Sequence, residues 1–345
     1  MSVPRRGRVV LLVLDGVGPE IVVPDITPTL RRLAETGGIA PVGGLAELVA
    51  STGPNHATLL TGAPLAVHGV LANRVFDEQG RTVNDPQVQV PTILTRARVG
   101  GRPCALIASD PDIIVTVRGE EADLCWPDRA QRAADSPKYV PDARTVDRLV
   151  TALDEEYGLV VAQLQEADSA AHLDGIDGEL AVDAYRRLDR AVAHVVEALR
   201  PAWEETLLVI VSDHRSENLV HDEPVRLAEA LAGWANVIED GSAALVRPVP
   251  GAHQEVMWRA LACEGVDGIG ALDHEHLVAW AQPGRAFGRE GPIRLRAVHG
   301  NVTTRPCLTL VAGGHPIVAS LAALIRRSPP PLRLWAGVAG EVLGV

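Results

Sequence analysis

The sequence predicts an α/β fold in which a mostly parallel sheet is flanked by helices. Three observations predict it. Short, continuously apolar runs such as residues 9–14, rich in Val and Leu, have the pattern of strands buried on both faces. Amphipathic helical segments alternate with these runs, which implies repeated strand–helix–strand units. Two of the runs end in acids, Asp15 and Asp213, and in parallel α/β sheets ligands sit beyond the carboxyl ends of the strands.

Taken in order, the first strand is residues 9–14, closed by Asp15-Gly16. Thr27-Pro28 reads as a cap with proline at the first helical position. Leu30, Leu33 and Ala34 share one face of that helix and Gly37 ends it. Residues 105–108 and 113–117 are further short strand candidates. Residues 145–155 read as helix, with Val146, Leu149, Val150 and Leu153 on one face. A strand at 159–164, a polar loop, a helix at 180–199 and a strand at 207–211 follow. The segment 221–291 is more irregular, with turn clusters such as Gly265-Val266-Asp267-Gly268. It reads as an insertion or cap within one domain spanning 1–345.

The chain has 345 residues, with 32 Lys+Arg against 44 Asp+Glu and a formal charge of −12. That balance argues against non-specific binding to nucleic acid or anionic lipid. A charged metabolite stays compatible with it, because a local metal cluster can outweigh net charge. After the basic Arg5, Arg6 and Arg8, the apolar run ends at Asp15, too short for a signal sequence. No stretch reaches the roughly 18 apolar residues of a membrane span. A cytoplasmic chain is the expectation. Cys104, Cys125, Cys263 and Cys307 lack paired ligand spacing and are expected to be reduced, packed as small apolar residues.

The candidate chemistry starts with Asp15 and with Asp213-His214, at two strand ends that a parallel sheet would set side by side. An Asp after a strand is most commonly a turn residue. A third strand, however, leads to Asp168 and His172, four apart, which one helical turn would direct to one point. Carboxylate and imidazole together suit zinc, and the same donors can take manganese. The run from Ser51 to Gly62 is rich in hydroxyls, and Pro54 fits a first helical turn that would put Thr52 at a helix N-terminus. There Thr52 is either an ordinary cap or a nucleophile, and a nucleophilic hydroxyl needs a metal or base to activate it.

With these residues in view, the chain resembles the alkaline phosphatase superfamily and, within it, the nucleotide pyrophosphatase/phosphodiesterase branch. The resemblance runs over most of the chain and is weakest across 221–291. Its most specific part is Thr52-Gly53-Pro54-Asn55-His56 through Thr61-Gly62-Ala63-Pro64, followed by His68-Gly69 and Asn73. Gly53 stands where the branch has an aromatic residue. The resemblance implies an alkaline phosphatase-like core holding two zinc ions. One would be held by Asp15, Thr52, Asp213 and His214. The other would be held by Asp168, His172 and a late histidine, for which His299 has a better claim than His315. Asn73 would bind a phosphoryl oxygen, while His56 and His68 would orient the nucleophile loop.

The activity implied is phosphodiester or nucleotide pyrophosphate hydrolysis through a phosphothreonine, the ions clamping the entering and leaving oxygens. A small phosphorylated or nucleotide-like substrate is expected. Arg74, Phe76 and Arg215 are the expected substrate contacts, Arg215 standing where the branch has glycine. The two arginines would favour the rival activity, hydrolysis of a small phosphomonoester. A non-catalytic relative that binds a metabolite or protein is the reading from another class. The complete ligand set argues against it.

Overall fold

The computed structural model describes residues 7–84, 86–128, 138–288 and 293–345. Arg5, Arg6 and residues 289–291 of the expected insertion lie outside them. A seven-stranded sheet forms the centre, in the spatial order Gly38–Ile39, Thr309–Ala312, Thr206–Val211, Arg8–Leu14, Leu159–Leu164, Cys104–Ala108, Leu124–Trp126. The last five are mutually parallel, and Thr309–Ala312 runs antiparallel to Thr206–Val211. Leu14 pairs with Leu164 and Val13 with Val211, so the chain leaves three adjacent strands at one level. That register brings Asp15, the Gln165–Asp168 turn and Asp213-His214 to one edge of the sheet.

Residues 9–14 are all fully buried because alternate side chains enter two cores. Val9, Leu11 and Val13 pack with Leu59, Leu60, Leu94 and Trp335 on one face. Val10, Leu12 and Leu14 pack with Leu30, Leu149, Leu188 and Val192 on the other. Burying each such Val or Leu contributes about 1.5–3 kcal/mol. This first strand is therefore a firm base for the loop carrying Asp15.

The run 113–117 is not a strand. Residues 113–116 lie in a short helix, Pro111–Thr116, which ends at Val117; Asp110 caps its start by accepting from the Asp112 N–H (2.9 Å) and Pro111 takes the first helical position. The cap and proline outweigh the β-branched composition. The helix expected at 145–155 starts earlier, as Asp142–Leu153. Cys104 and Cys307 are buried as expected, whereas Cys125 and Cys263 are only half-buried.

The segment 221–291 is more regular than its turn-rich sequence suggests. Within it an antiparallel sheet, in the order Ala235–Asp240, Ala243–Pro248, Leu277–Ala281, Val266–Ala271, carries the helix His253–Ala262 on a small core of its own. The first hairpin turns at Gly241, which has φ +60°, and that turn rests on the loop at His299: the Ser242 N–H donates to the His299 carbonyl at 2.8 Å. A Cβ on Gly241 would fall 2.6 Å from that carbonyl oxygen, and one on Gly300 would fall 2.6 Å from the Ala243 nitrogen. Both glycines are needed for this close approach.

Candidate metal centre and catalytic cleft

Thr52 is the first residue of the helix Thr52–Thr61. The sequence around it builds that helix start. Asn55 donates to the Val49 and Ser51 carbonyls (2.9 and 3.1 Å) and accepts from the Glu47 N–H (2.8 Å), stapling the approach loop to the first turn. His56 holds the Thr52 carbonyl through Nδ1 at 2.9 Å. His68 ties the middle of the helix to the next turn through Thr58 (3.0 Å). The Gly53 N–H donates to Asn73 Oδ1 at 2.8 Å, so the Asn73 amide nitrogen is the end left to meet a ligand.

Three carboxylates converge beside this helix start. Asp15 lies at the end of Arg8–Leu14 and accepts from Gln163 Nε2 through Oδ2 (2.8 Å). Asp213 follows Thr206–Val211 and accepts from the Gly16 N–H and Ser212 Oγ through Oδ1, both at 3.3 Å. Asp168 sits in the first turn of the helix Glu166–Asp174. Gly16, at φ +73°, lets it come close: a Cβ there would lie 2.5 Å from Asp168 Oδ1 and 3.0 Å from its Cα. That contact explains the glycine of the Asp15-Gly16 pair.

The histidines complete the cluster. His214 Nε2 lies 3.3 Å from Thr52 Oγ1, 3.3 Å from Asp213 Oδ2 and 3.7 Å from Asp15 Oδ1. His172 Nε2 lies 3.4 Å from Asp168 Oδ2, and its Nδ1 is fixed by the Ala297 carbonyl at 2.8 Å. His299 is held through Nδ1 by the Ala50 carbonyl (2.9 Å), and its ring stacks on His214 with centroids 3.8 Å apart. Thus Asp15, Thr52, Asp168, His172, Asp213, His214 and His299 gather in one place. The grouping differs from the expected division in two respects, the place of His214 and the place of His172, which lies beside Asp168 but in neither compact set. Asp15, Asp213 and His214 form one compact donor set and Asp168, His214 and His299 another, so His214 borders both. His315 is not at this cluster; its Nδ1 accepts from the Ile317 N–H, and a Cβ on Gly7 would meet its ring.

The electrostatics call for a cation. Asp15, Asp213 and His214 are fully buried, and Asp15 Oδ1 and Asp213 Oδ2 have no hydrogen-bond partner. A buried carboxylate with an unpaired oxygen costs several kcal/mol unless a charge compensates it. Burial and the neighbouring charges of Asp213 and Asp168 push the Asp15 carboxyl well above its usual range. Burial also acts on Asp168, but there His172, His299 and His214 prevail and hold it below that range. Asp168 in turn raises His172 to about 9, while burial and the adjacent His214 push His299 down. Divalent cations among these oxygens and imidazoles would reverse the logic at Asp15 and satisfy both orphaned oxygens. The residues fit such ions.

Above the cluster opens a cleft of about 550 Å³. Thr52, Gly53, Asn73, Asp168, His172 and His299 line it, together with Ile113, Leu173, Leu295 and Tyr139. Lys138 lies at its rim with Nζ 4.6 Å over the Tyr139 ring. The structure does not bring Arg74, Phe76 or Arg215 there. Arg74 donates to the Glu239 carbonyl (2.8 Å), and Phe76 stacks on His276. Arg215 donates to the Thr303 carbonyl (3.0 Å) and faces Glu20 at 3.6 Å. Adjacency in sequence to Asn73 and His214 does not set the direction of a long side chain. Ile113, Leu173, Leu295 and Tyr139, together with Gln163 and Gln165, escaped the sequence reading of the site. The signal available for Gln163 was a lone polar residue inside an otherwise apolar strand.

Comparison with known proteins places this geometry in context. A family model described as type I phosphodiesterase/nucleotide pyrophosphatase matches residues 9–291. The bis(5′-adenosyl)-triphosphatase of Xenopus laevis is 24% identical over 261 residues, 70% of this chain and 54% of that protein. The chain thus spans about half the length of this curated relative. Among solved structures, an inactive variant of murine ectonucleotide pyrophosphatase/phosphodiesterase 5 in complex with AMP superimposes with a TM-score of 0.78 at 17% identity, over 98% of this chain and 95% of that one. The phosphonoacetate hydrolase of Sinorhizobium meliloti 1021 in complex with phosphonoacetate gives 0.78 at 16% identity, over 98% and 96%. At these identities the likenesses show a shared fold, the parallel sheet flanked by helices.

Proposed function

The chain belongs to the type I phosphodiesterase/nucleotide pyrophosphatase family, and we propose that it hydrolyses a small phosphodiester or nucleotide-like pyrophosphate with Thr52 as nucleophile. The observation that carries this reading is the meeting of Thr52 Oγ1 with His214 Nε2 at 3.3 Å beside two buried carboxylates that each have an orphaned oxygen. Asp15, Asp213, His214 and Thr52 would hold one divalent cation, and Asp168, His172 and His299 the other. The carboxylate, imidazole and hydroxyl donors suit zinc, with manganese as the alternative. Bound there, the ions would lower the pKa of the hydroxyl and offset charge on the phosphoryl oxygens.

The rest is done by the chain itself. Thr52 stands at a helix N-terminus, where the positive end of the helix dipole favours a phosphoryl anion. Its oxygen would form a bond to phosphorus as the bond to the leaving oxygen breaks, leaving a phosphothreonine that water then hydrolyses. The Asn73 amide nitrogen would donate to a phosphoryl oxygen, where the charge of the displacement gathers. Ile113, Leu173, Leu295 and Tyr139 would seat the second ester substituent. Arg74 and Arg215, which would favour a dianionic monoester, are committed to backbone carbonyls elsewhere. Lys138 is the one lysine or arginine among the described residues of the cleft lining. That favours a diester. The segment 221–291 acts in this account as a cap within a single catalytic domain, its Gly241 turn bracing the His299 loop.

Metal analysis combined with parallel rates on bis-p-nitrophenyl phosphate and p-nitrophenyl phosphate tests the proposal. Two ions per chain and faster diester hydrolysis are expected. A metal-free protein, or one that turns over the monoester alone, would overturn it.

A further inference from the structure

A buried polar chain runs beneath the two carboxylates, and the reaction above does not use it. Gln163 is 1% exposed and is the sole polar side chain of the strand Leu159–Leu164. Its orientation is determined by its neighbours. The Asp110 backbone N–H donates to Oε1 at 3.0 Å, so the opposite atom must be the amide nitrogen. That Nε2 spends both hydrogens, one on Asp15 Oδ2 at 2.8 Å and one on Gln165 Oε1 at 2.7 Å. Gln165, 3% exposed, accepts through its oxygen and so turns its own Nε2 to Asp168 Oδ2, at 3.1 Å. Each amide has one way to point. The chain ends on a carboxylate from each of the two proposed cation positions.

We infer that Gln163 and Gln165 are positioning residues that couple Asp15 to Asp168, so that the two cation positions fill interdependently. This rests on the dinuclear reading above. By holding Asp15 through Oδ2, Gln163 leaves Oδ1 as the oxygen offered to a cation, and Oδ1 is the atom without a partner. Any shift of Asp15 on binding moves the Gln163 amide. Because that amide has no spare donor, Gln165 and then Asp168 must follow. Partners one bond behind a ligand commonly alter metal affinity about 10–100-fold. Two glutamines that served only to satisfy buried groups would affect folding stability, but not the relation between the two binding events.

Titration of metal-stripped protein with ¹¹³CdCl₂, followed by ¹¹³Cd resonances, separates these roles. In wild type, two resonances should grow together. In Gln163→Leu both positions should weaken about 10–100-fold and fill one after the other. Gln165→Leu, which cuts the chain but leaves Gln163 on Asp15, should weaken the Asp168 position and end the interdependence. Sequential filling in wild type, or joint filling in either variant, would overturn the inference. If Gln163→Leu shows no cooperative thermal transition, Gln165→Leu decides alone. Fewer than two cadmium ions in wild type would sink the dinuclear reading and this inference with it. Two ions with unaltered variants would sink this inference alone.

Discussion

His68 makes the support of the nucleophile helix sensitive to acid. It is fully buried, accepts from the Val70 N–H through Nδ1 at 3.1 Å and meets Thr58 Oγ1 through Nε2 at 3.0 Å. With Nδ1 accepting, Nε2 carries the proton, and a second proton would face the Val70 N–H donor to donor. Burial pushes the His68 pKa from 6.5 down to about 4. A histidine with a depressed folded pKa refuses a proton that the unfolded chain accepts. It has no pH-dependent effect above about pH 6.5, and stability is lost as pH falls from there toward 4. At about 1.4 kcal/mol per pH unit, the gap between 6.5 and about 4 sets a ceiling of about 3 kcal/mol, of which about 2 kcal/mol is reached at pH 5. Urea unfolding of wild type and His68→Gln at pH 8, 7, 6 and 5 measures it, the other titrating groups being common to both proteins. Wild type should lose about 2 kcal/mol more than the variant between pH 8 and 5. Parallel profiles would rule out this role for His68.

Two further perturbations probe the centre. His299→Ala should lower metal content toward one ion per chain and sharply reduce diester hydrolysis, whereas His315→Ala should retain both; the reverse would move the ligand to His315. Gly16→Ala and Gly251→Ala each place a side chain at positive φ, at a cost of about 1–2 kcal/mol, but only at Gly16 would the new Cβ strike Asp168; around Gly251 the space is open. Both variants should melt lower, and only Gly16→Ala should lose metal by elemental analysis. Equal metal retention would show that the Asp168 contact is dispensable.

Much of the fold was legible because the first strand is an uninterrupted, β-branched-rich apolar run, the pattern of a strand covered on both faces. Strand ends marked by Asp15 and Asp213 then pointed to one edge of a parallel sheet. The Thr52 helix was legible from Pro54, which suits a first turn. What stayed hidden depends on direction and on tertiary partners. Residues 113–117 have strand composition, yet Asp110 and Pro111 start a helix there. Arg74, Phe76 and Arg215 sit next to site residues in sequence, but strand geometry and backbone carbonyls take their side chains elsewhere. The place of His214 between both donor sets depends on its stacking with His299, 85 positions away in sequence (299 − 214). The Gln163–Gln165 chain is visible only once Asp110, Asp15 and Asp168 are brought around it.

Attack of Thr52 on phosphorus leaves a covalent adduct that a quenched reaction captures. Protein mixed with bis-p-nitrophenyl phosphate, stopped in acid within the first turnover and digested, is read by peptide mass spectrometry. A p-nitrophenylphosphoryl adduct is expected on the peptide bearing Thr52, released with continued turnover and missing from Thr52→Ala, which should also lose activity while keeping its metal. An unmodified Thr52 peptide during active turnover, together with full activity in Thr52→Ala, would contradict attack by Thr52.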